Sequence, residues 1–524
     1  RVYHFRGVDP SRCAPDTDPV LARVRSASLL GIQAAIVSVE VDVASGLPSF
    51  TTVGLPDSTV RESRDRIRAA IRNAGFSFPV DRITVNLAPA DLRKEGPAFD
   101  LPMAVGLLAA TGVVKPDLLE RAALVGELSL DGRVRPVRGV LPVALLCRQE
   151  RIPLLMVPAE NAREAAVVAG LHVIPVHSIH DTVEYLNGER PLERVEATAA
   201  GCVEPRRETI DFAEVRGQAH AKRALEIAAA GGHNVLMIGP PGAGKTMLAQ
   251  RLATILPPLS LDEAIEVSVV WSVAGLLSAE RGLVGSRPFR APHHTVSGSG
   301  LIGGGGAPHP GEASLAHLGV LFLDELPEFS RRVLESLRQP LEDGVVTVTR
   351  AAGSASFPAR FQLVGAANPC RRGCRSVETC ACTPAEREQY LGRLSGPLLD
   401  RIDLHVELPA VTYAELDADA AGEPSAAIRR RVVAARDRQA ARFAGTDVRV
   451  NARMSGRQTR LFCRVPAEAG RLLGRAVSRL GLSARAYHRV LKVARTVADL
   501  AGCETIAAEH VSEALQYRAF DRCL

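Results

Sequence analysis

Long hydrophobic runs are missing from this chain of 524 residues. No apolar run reaches the about 18 residues that a membrane-spanning helix needs, and no secretory core with a cleavage site is recognisable. A disulfide framework is also missing, because four of the ten cysteines cluster at 370–382 and six are scattered. We therefore expect a cytoplasmic protein with no membrane partner.

Charge of one sign is not in large excess, but its distribution is uneven. The chain carries a net charge of +6. Residues 425–524 contain 20 Lys and Arg against 8 Asp and Glu, a net +12, so the rest is at about −6. This asymmetry predicts a polyanion partner or an acidic neighbouring subunit. A solvated arginine-rich helical face explains it equally well.

A glycine-rich loop with the sequence GPPGAGKT lies between an apolar run at 234–238 and a helical pattern at 247–252. The order strand, loop, helix and the spacing G-x-x-x-x-G-K-T are those of a phosphate-binding P-loop. Backbone N–H groups of such a loop converge on phosphate oxygens, and the following helix presents its positive end. The sequence predicts ATP and Mg²⁺ as cofactors and these binding residues: Gly239, Pro240, Pro241, Gly242, Ala243, Gly244, Lys245 and Thr246.

The residues GVLFLDE at 319–325 have the pattern of a buried strand that ends in two carboxylates. Together with a P-loop, Asp324 is predicted to hold Mg²⁺ jointly with the Thr246 hydroxyl, and Glu325 to polarise the attacking water. Two surface acids at a strand end would fit Asp-Glu alone. The P-loop favours the catalytic interpretation.

Four cysteines, at Cys370, Cys374, Cys380 and Cys382, have the spacing C-x₃-C-x₅-C-x-C. Four thiolates can close a tetrahedral zinc site, so the spacing predicts a structural Zn²⁺. Reduced thiols in a loop remain the alternative. The adjacent pair His293-His294 is not predicted to bind zinc, because neighbouring residues do not face one way on a helix or strand.

The N-terminal part shows alternating strand and helix patterns. Residues 1–19 lack periodicity and are predicted to be a disordered extension, 20–187 an α+β domain, and 188–208 a linker. The alternation predicts one long strand at Ser28–Val43, and the periodicity predicts a helix at Asp57–Ala74.

This domain resembles the proteolytic domain of Lon proteases, of the S5 domain 2-like type. Residues 94–104 (KEGPAFDLPMA) are similar to the stretch that carries the nucleophilic Ser of Lon, and 126–140 to the stretch that leads to its catalytic Lys. Ala98 occupies the Ser position, and the Lys position falls at about Leu141. A Ser–Lys dyad needs a hydroxyl and an amine in contact. We therefore expect an oligomerisation or docking scaffold without peptidase activity.

The remainder resembles an AAA+ ATPase: an α/β core of αβα type at 209–410 and a C-terminal helical lid at 411–524. The resemblance implies a polar sensor-1 residue at Asn368, after the strand pattern at 361–367. It also implies an arginine that reaches the neighbouring subunit's nucleotide, for which we choose Arg401, with Arg393 second. A surface salt-bridge role is the alternative for both arginines.

Three further features follow from the same resemblance. Arg485 matches the sensor-2 position of the lid. The long glycine-rich stretch 290–311, expected to be structureless, is similar to the helix-2 insert of magnesium chelatases and MCM helicases. A hairpin at 345–360 would point into a ring pore, where Arg350 and Arg360 could contact DNA phosphates. An ordinary exposed hairpin is the alternative.

The combination of GPPGAGKT, RAPHHTVS, FLDE, NPC with following cysteines, and SGPLLDRID resembles the ComM/YifB family of magnesium-chelatase-like AAA+ ATPases. The resemblance implies a hexameric ring that hydrolyses ATP and binds DNA, and ComM proteins promote branch migration during natural transformation. A magnesium chelatase-type motor that remodels a protein partner is the main alternative. A non-enzymatic scaffold is disfavoured by the intact Lys245, Asp324 and Glu325.

Overall fold

A computed structural model describes residues 21–195, 210–305, 308–350, 353–374, 380–410 and 422–518. They form two compact units, which are described separately. The first contains the described residues up to 195 together with 272–283, and the second contains 210–271 and 284–518. None of the helices in these ranges has the length and apolar character needed to cross a bilayer. No sequence pattern indicated that 272–283 belongs with the first unit.

The first unit is built on a mixed sheet of seven strands with the order β3-β4-β2-β1-β5-β8-β9. Strands β1 and β2 pair antiparallel, as do β2 and β4, whereas β1, β5, β8 and β9 are parallel neighbours. The short strands β6 and β7 pair outside this sheet. The strands β1 to β9 span Ala22–Leu30, Gln33–Ala44, Ser49–Val53, Arg82–Ala88, Ala122–Leu124, Glu127–Leu128, Val134–Arg135, Leu154–Pro158 and His172–Val176.

The single strand predicted at Ser28–Val43 is wrong. The structure has a hairpin there, in which β1 and β2 pair from Ala22 opposite Val41 to Leu30 opposite Gln33. Gly31, at the turn, has a φ of 64°, a left-handed conformation that glycine adopts without a Cβ clash. The alternating pattern continues across such a tight turn, so periodicity alone did not reveal it.

Helices Ser58–Asn73, Asp100–Ala110 and Ile179–Leu186 of the first unit pack with the sheet in one continuous apolar core. The first begins where predicted, because the Asp57 carboxylate accepts a hydrogen bond from the Val60 amide at 2.8 Å and so caps it. The α-helices lie at Ser58–Asn73, Asp100–Ala110, Pro116–Leu119, Val140–Gln149, Ala162–Ala166 and Ile179–Leu186.

The second unit is an α/β structure around a parallel sheet with the order β11-β14-β17-β10-β18. Its central strands are buried along their whole length, as expected for a parallel sheet covered on both faces. Two antiparallel pairs, β12 with β13 and β15 with β16, lie outside it. The strands β10 to β18 span Val235–Ile238, Phe289–Arg290, Gly303–Gly304, His309–Pro310, Val320–Leu323, Val345–Arg350, Gly353–Pro358, Gln362–Ala367 and Leu404–Glu407.

Helices surround this sheet and form the whole C-terminal part of the second unit. Apolar residues at three- and four-residue spacing predict four C-terminal helices, at Ala426–Phe443, Pro466–Leu480, Ala484–Leu500 and Ala507–Tyr517. The observed helices begin and end within one residue of these bounds, and Gly456–Phe462 was not predicted. The stretch 290–311, expected to be structureless, contains a short helix and the β12–β13 pair. The α-helices lie at Ala219–Gly231, Lys245–Ile255, Leu261–Ala274, Gly298–Ile302, Glu312–Leu315, Arg331–Ser336, Arg338–Asp343, Pro384–Leu391, Gly396–Leu399, Ser425–Arg442, Gly456–Phe462, Ala467–Leu480, Ala484–Ala501 and Ala508–Gln516.

The arginines of helix Ser425–Arg442 are used inside the protein rather than displayed as one solvated face. Arg431 bonds Glu226 at 2.5 Å, and Arg436 donates to the Ala229 carbonyl at 2.7 Å. Arg442 pairs with the buried Asp499 at 2.8 Å. Much of the positive charge at this end of the chain therefore holds the helices together, and this helix gives no argument for a polyanion partner.

Candidate active site

The sheet order of the second unit brings the predicted catalytic segments to one edge. Strand β10 leads into the P-loop, β14 into Asp324 and Glu325, and β17 into Asn368. Because β14, β17 and β10 are adjacent and parallel, their carboxyl ends meet at the same edge of the sheet. Three segments that are far apart in the chain therefore line one site.

The P-loop holds its lysine in a buried position. Gly244 has a φ of 87° directly before helix Lys245–Ile255, a backbone conformation that favours glycine. The Lys245 ammonium donates to the Gly239 carbonyl at 2.6 Å, the Pro240 carbonyl at 2.9 Å and the Asn368 side-chain oxygen at 3.0 Å. Burial lowers the pKa of Lys245, and the nearby carboxylates of Asp324 and Glu325 oppose that shift.

The two predicted magnesium ligands are in direct contact. The Thr246 hydroxyl donates to Asp324 Oδ2 at 2.8 Å. A hydroxyl and a carboxylate are oxygen donors of the type that Mg²⁺ prefers. The pair faces a cavity of about 300 Å³, so the residues present fit a magnesium ion held together with a nucleotide phosphate.

Glu325 follows Asp324 in an unusual backbone conformation. Its φ is 51°, in the left-handed region, which costs a non-glycine residue about 1–2 kcal/mol. The Asp324 carboxylate accepts a hydrogen bond from the Glu325 amide at 2.9 Å and supports the turn. The Glu325 side chain is 51% exposed and is therefore open to water. Strain of this kind concentrates at functional positions.

His294 reaches the same cavity from the loop after β11. Its Nδ1 lies 3.3 Å from Glu325 Oε2. The His293 and His294 rings lie 4.1 Å apart, because these residues follow strand β11 in an irregular loop where neighbours can face each other. Sequence reasoning considered these histidines only as metal ligands and missed the contact with Glu325.

Arg401 lies at the opposite edge of the sheet, before β18 begins. Its buried guanidinium bonds the Glu342 carboxylate and the Pro397 carbonyl. Arg485 lies 4.0 Å from the same Glu342 carboxylate. The structure thus brings the two predicted arginines together, but not to the P-loop of their own chain. Glu342 is a partner that the sequence did not indicate.

Arg393, the second choice for the neighbour-facing arginine, lies elsewhere. Its guanidinium donates to Glu328 Oε2 at 3.1 Å. Glu328 belongs to the short turn that follows Glu325, so Arg393 lies on the nucleotide edge of its own chain. The two candidates therefore face different edges of the sheet.

The predicted DNA hairpin exists, as the antiparallel pair β15–β16. Arg350 ends β15, and its side chain lies outside the described part of the chain. Arg360 follows the hairpin, where its backbone amide donates to His317 Nδ1 at 3.0 Å. Its side chain lines a cavity of about 280 Å³ that also contains Arg453 and Glu342. Arg360 is therefore placed beside the hairpin's base and not at its tip.

The four predicted cysteines lie close together in a loop that packs against the P-loop. The sulfur atoms of Cys370, Cys374, Cys380 and Cys382 all lie within 4.8 Å of one another. Burial by itself would raise the pKa of Cys370, but hydrogen bonds from the Cys374 amide and the neighbouring thiols outweigh it and lower this pKa to about 7. A Cβ on Gly373 would lie 2.8 Å from Pro241 Cγ, so this loop packs closely on the P-loop.

A parallel sheet of this order, with a P-loop after one strand and paired carboxylates after another, defines a P-loop ATPase of the AAA+ class. Sequence comparisons agree. Residues 211–416 match the family described as magnesium chelatase, subunit ChlI, residues 422–518 match its C-terminal family, and residues 39–161 match the family described as subunit ChlI of Mg-chelatase. The molecule is thus an ATPase motor of the magnesium-chelatase-like class, which uses ATP and Mg²⁺.

Full-length relatives narrow the assignment. The competence protein ComM of Haemophilus influenzae is 46% identical over 511 residues, which cover 96% of this chain and 98% of that protein. The uncharacterized protein YifB of Escherichia coli is 44% identical over 96% of this chain and 98% of its own length. The chloroplastic magnesium-chelatase subunit ChlI of Oryza sativa is 29% identical over 42% of this chain. The chain belongs to the ComM/YifB family of magnesium-chelatase-like proteins.

Proposed function

We propose that this protein is a ring-forming, ATP-driven motor on DNA: a hexameric helicase that promotes branch migration in recombination and natural transformation. The observation that carries the ATPase part is the convergence of Lys245, Asn368, Thr246 and Asp324 at one edge of the sheet. The DNA part is supported by 46% identity to a protein named for competence, the capacity to take up DNA.

The chain's own residues divide the chemistry of hydrolysis. Lys245 neutralises charge on the β- and γ-phosphates, and Asn368, its hydrogen-bond partner, orients the γ-phosphate. Glu325 accepts the proton of the attacking water. Thr246 and Asp324 would hold Mg²⁺, which neutralises charge on the phosphate oxygens when bound.

Arg401 and Arg485 complete the site of a neighbouring protomer. Arg401 precedes β18, and the carboxyl end of β18 lies on the P-loop side of the sheet. The Arg401 guanidinium therefore lies at the opposite end of the strands from the nucleotide site of its own chain. A guanidinium supplied by a neighbour is a recurrent device for stabilising phosphoryl transfer. This arrangement makes the closed ring, and not the protomer, the active species.

DNA contacts are assigned to two places. Arg350 and Arg360, at the two ends of the hairpin, would contact phosphates in the ring pore. Five further arginines on or beside the helices Gly456–Phe462 and Ala467–Leu480 are exposed: Arg457, Arg460, Arg464, Arg471 and Arg475. Exposed guanidiniums three to seven residues apart suit a polyanion better than the internally paired arginines of helix Ser425–Arg442.

The salt dependence of DNA affinity tests this surface. Charge reversal in the double variant Arg471→Glu/Arg475→Glu should weaken binding to any DNA sequence and lower the slope of log K against log salt by about one for each lost phosphate contact. Arg148→Glu, an exposed arginine on helix Val140–Gln149, is the matched control. An unchanged slope in the double variant would remove this surface from the proposal.

The ATPase rate with single-stranded, duplex and branched DNA tests the motor as a whole. Stimulation is expected with DNA, most with branched substrates, and Glu325→Gln should keep nucleotide binding and lose turnover. The alternative, a magnesium chelatase-type motor that remodels a protein partner, is favoured by the match at 211–416. Wild-type ATPase that is indifferent to all three DNA forms would favour this alternative.

The N-terminal unit is proposed to be a Lon-like scaffold without peptidase activity. Ala98 lies in a short helical turn, where its carbonyl accepts a hydrogen bond from the Gly126 amide at 3.0 Å, and Leu141 is fully buried. Neither side chain supplies a nucleophile or a base. Casein should remain intact with the protein, and its degradation would contradict this assignment.

Zinc is proposed for the cysteine cluster. Four thiolates around Zn²⁺ at the usual bond length would lie about 3.8 Å apart, which is compatible with sulfur atoms all within 4.8 Å. Elemental analysis of reduced protein should give about one zinc per chain. Cys380→Ser/Cys382→Ser should lose it, and the control Cys503→Ser, an exposed cysteine, should keep it. Zinc-free wild-type protein would contradict the proposal.

A further inference from the structure

A cavity of about 280 Å³ lies in the second unit, at the end of the sheet away from the P-loop. Its lining includes Gly319, directly before β14, and Phe361, directly before β17. The P-loop follows the carboxyl end of β10, and these three strands are parallel. The cavity is therefore at the opposite end of the strands from the nucleotide site of its own chain.

Arginines from four separate parts of the chain contribute to the lining. They are Arg287, Arg360, Arg436, Arg449 and Arg453. Glu263 pairs with two of them, because its carboxylate oxygens lie 2.9 Å from Arg287 and 3.4 Å from Arg449. The other three form no ion pair within the described part of the chain. Three positive charges therefore border the cavity without a carboxylate in contact.

Two of these three arginines, Arg436 and Arg453, are held by backbone carbonyls and are called the inner pair below. Arg436 donates from Nε and Nη2 to the Ala229 carbonyl, at 3.1 and 2.7 Å. Arg453 donates from Nη1 to the carbonyls of Leu341 and Glu342, at 3.1 and 3.4 Å. A carbonyl fixes a guanidinium but leaves its charge unneutralised. Arg436 Nη1 and Arg453 Nη2 bond no group of the described residues and are not enclosed, so both can donate to a ligand in the cavity.

Like charges are held close together around this cavity. Burial lowers the pKa of Arg436 to about 9, the charge of Arg287 adds to this shift, and Glu263 opposes it. Burial also lowers the pKa of Arg453, and the charge of Arg360 adds to that shift. An anion in the cavity would offset this repulsion, because an opposite charge nearby favours the charged form of a guanidinium.

Three carboxylates also line the cavity, and they differ from the inner pair in their exposure. Glu342, Asp343 and Asp447 are exposed to solvent. The Glu342 carboxylate already bonds Arg401. Solvent and salt screen exposed charges strongly, whereas the half-buried guanidiniums of the inner pair are screened less. The balance of charge inside the cavity is therefore positive.

We propose that this cavity is a phosphate-binding site, separate from the P-loop, in which Arg360, Arg436 and Arg453 bind an orthophosphate ion or the phosphate of a monoester. Guanidiniums pair with phosphate oxygens in a fixed, bidentate geometry, and three of them from separate elements match a dianion better than a single carboxylate. The volume of about 280 Å³ is near the lower limit of small-ligand sites, about 300–1,000 Å³, which suits a phosphate or a phosphorylated sugar. The inference goes beyond the proposed motor function and does not depend on it.

Isothermal titration calorimetry of the full-length protein with sodium phosphate tests the site. Lys245→Ala weakens the P-loop and should retain one saturable phosphate site. In that background, Arg360→Gln and Arg436→Gln should each weaken phosphate binding about ten-fold or more, since each removes a charge-assisted hydrogen bond. Arg148→Gln, at an exposed arginine on helix Val140–Gln149, is the matched control and should leave phosphate affinity unchanged.

The two cavity variants differ in how much they disturb the fold. Arg436→Gln removes a bond to the Ala229 carbonyl, so its thermal unfolding midpoint is measured alongside its phosphate affinity. Arg360 is exposed, so Arg360→Gln should fold as the wild type does and changes only the charge at the cavity. Absence of a saturable site in the Lys245→Ala protein, or unchanged phosphate affinity in Arg360→Gln, would overturn the inference.

Competition against orthophosphate identifies the source of the phosphate group. The competitors are thymidine monophosphate, a 5′-phosphorylated DNA oligonucleotide and the same oligonucleotide with a 5′-hydroxyl. Displacement by the monophosphate alone assigns a small phosphate ester, and displacement by 5′-phosphorylated but not by 5′-hydroxyl DNA assigns a strand end. Equal displacement by both oligonucleotides would assign the cavity to phosphodiesters and contradict a monoester site.

Discussion

Arg401→Ala is the perturbation that separates a structural arginine from one that serves the neighbouring protomer. In the wild type the Arg401 guanidinium is buried and bonds Glu342 and the Pro397 carbonyl. It lies before β18, at the sheet edge opposite to the P-loop. Alanine removes the guanidinium and leaves Glu342 without this partner.

The two roles predict effects of very different size. Glu342 is 49% exposed but the Arg401 side chain is buried, so removing the guanidinium should cost about 1–3 kcal/mol of folding stability, the range for a lost hydrogen bond that leaves a partner unpaired. An arginine supplied to a neighbour's phosphate, in contrast, is worth about 10³- to 10⁵-fold in turnover. We therefore expect a stable, ring-forming variant that is almost inactive as an ATPase.

Mixing experiments then show whether the site is shared. Glu325→Gln protomers keep Arg401 but cannot hydrolyse their own nucleotide, and Arg401→Ala protomers have the reverse defect. In a random equal mixture, about a quarter of the interfaces of a closed ring pair an intact Glu325 with an intact Arg401. Steady-state ATPase should therefore return in the mixture although each component alone is inactive. Glu342→Ala is the control and should retain most of the activity.

Two results would refute this reasoning. One is the absence of recovery in mixed rings that light scattering shows to be assembled. The other is a Glu342→Ala variant as inactive as Arg401→Ala, which would mean that the pair is needed to hold the fold and that the guanidinium has no separate catalytic task. Full activity of Arg401→Ala would transfer the role to Arg393, which bonds Glu328 on the nucleotide edge.

Further predictions concern Lys245 and Asp403. Lys245→Ala should weaken binding of a fluorescent ATP analogue at least about ten-fold, since hydrogen bonds to charged groups are worth about 1.5–3 kcal/mol, and unchanged affinity in a titration would contradict the P-loop assignment. Asp403→Asn should destabilise the second unit by about 3–5 kcal/mol in urea unfolding. The buried Asp403 carboxylate pairs with Arg489 and accepts a hydrogen bond from the Asn234 backbone amide. Burial alone would raise the pKa of Asp403, but the charge of Arg489 and the hydrogen bonds outweigh it and lower this pKa in the folded state. The Asp403 carboxylate therefore stabilises the fold at pH values above its unfolded pKa of about 4, and this contribution is lost as the pH falls below that value. The stability difference between wild type and Asp403→Asn should shrink below that pH, and a constant difference would show that the charge is not responsible.

Much of the fold was predictable from local sequence patterns. The α/β class of the second unit is confirmed, and the membership in the ComM/YifB family that GPPGAGKT, RAPHHTVS and SGPLLDRID suggested is confirmed by the full-length relatives. Helix ends in the C-terminal part were predictable because apolar residues there recur every three to four positions. The hairpin of β1 and β2 was not predictable, because the alternation of apolar and polar residues continues unchanged across a tight glycine turn.

The candidate site was only partly predictable. The spacing around Lys245 and the Asp-Glu pair pointed to their chemistry, because a phosphate-binding loop and a metal-binding carboxylate need particular residues at particular positions. The roles assigned to these residues, and to Asn368, Arg401, Arg485 and the zinc ligands, stay predictions. Sequence reasoning did not find Glu342 as the partner of Arg401, since these residues are 59 positions apart and Glu342 belongs to no recognisable motif.

The sequence by itself determined which chemistry is available, because the loop, the carboxylates and the cysteine cluster are patterns within short stretches of chain. The tertiary structure alone decided which of these groups meet. The order β11-β14-β17-β10-β18 puts His294 beside Glu325 and Lys245 beside Asn368. The parallel direction of β18 leaves Arg401, which precedes this strand, at the end of the sheet away from the P-loop. Strand order depends on the packing of the whole apolar core, and no local pattern contains it.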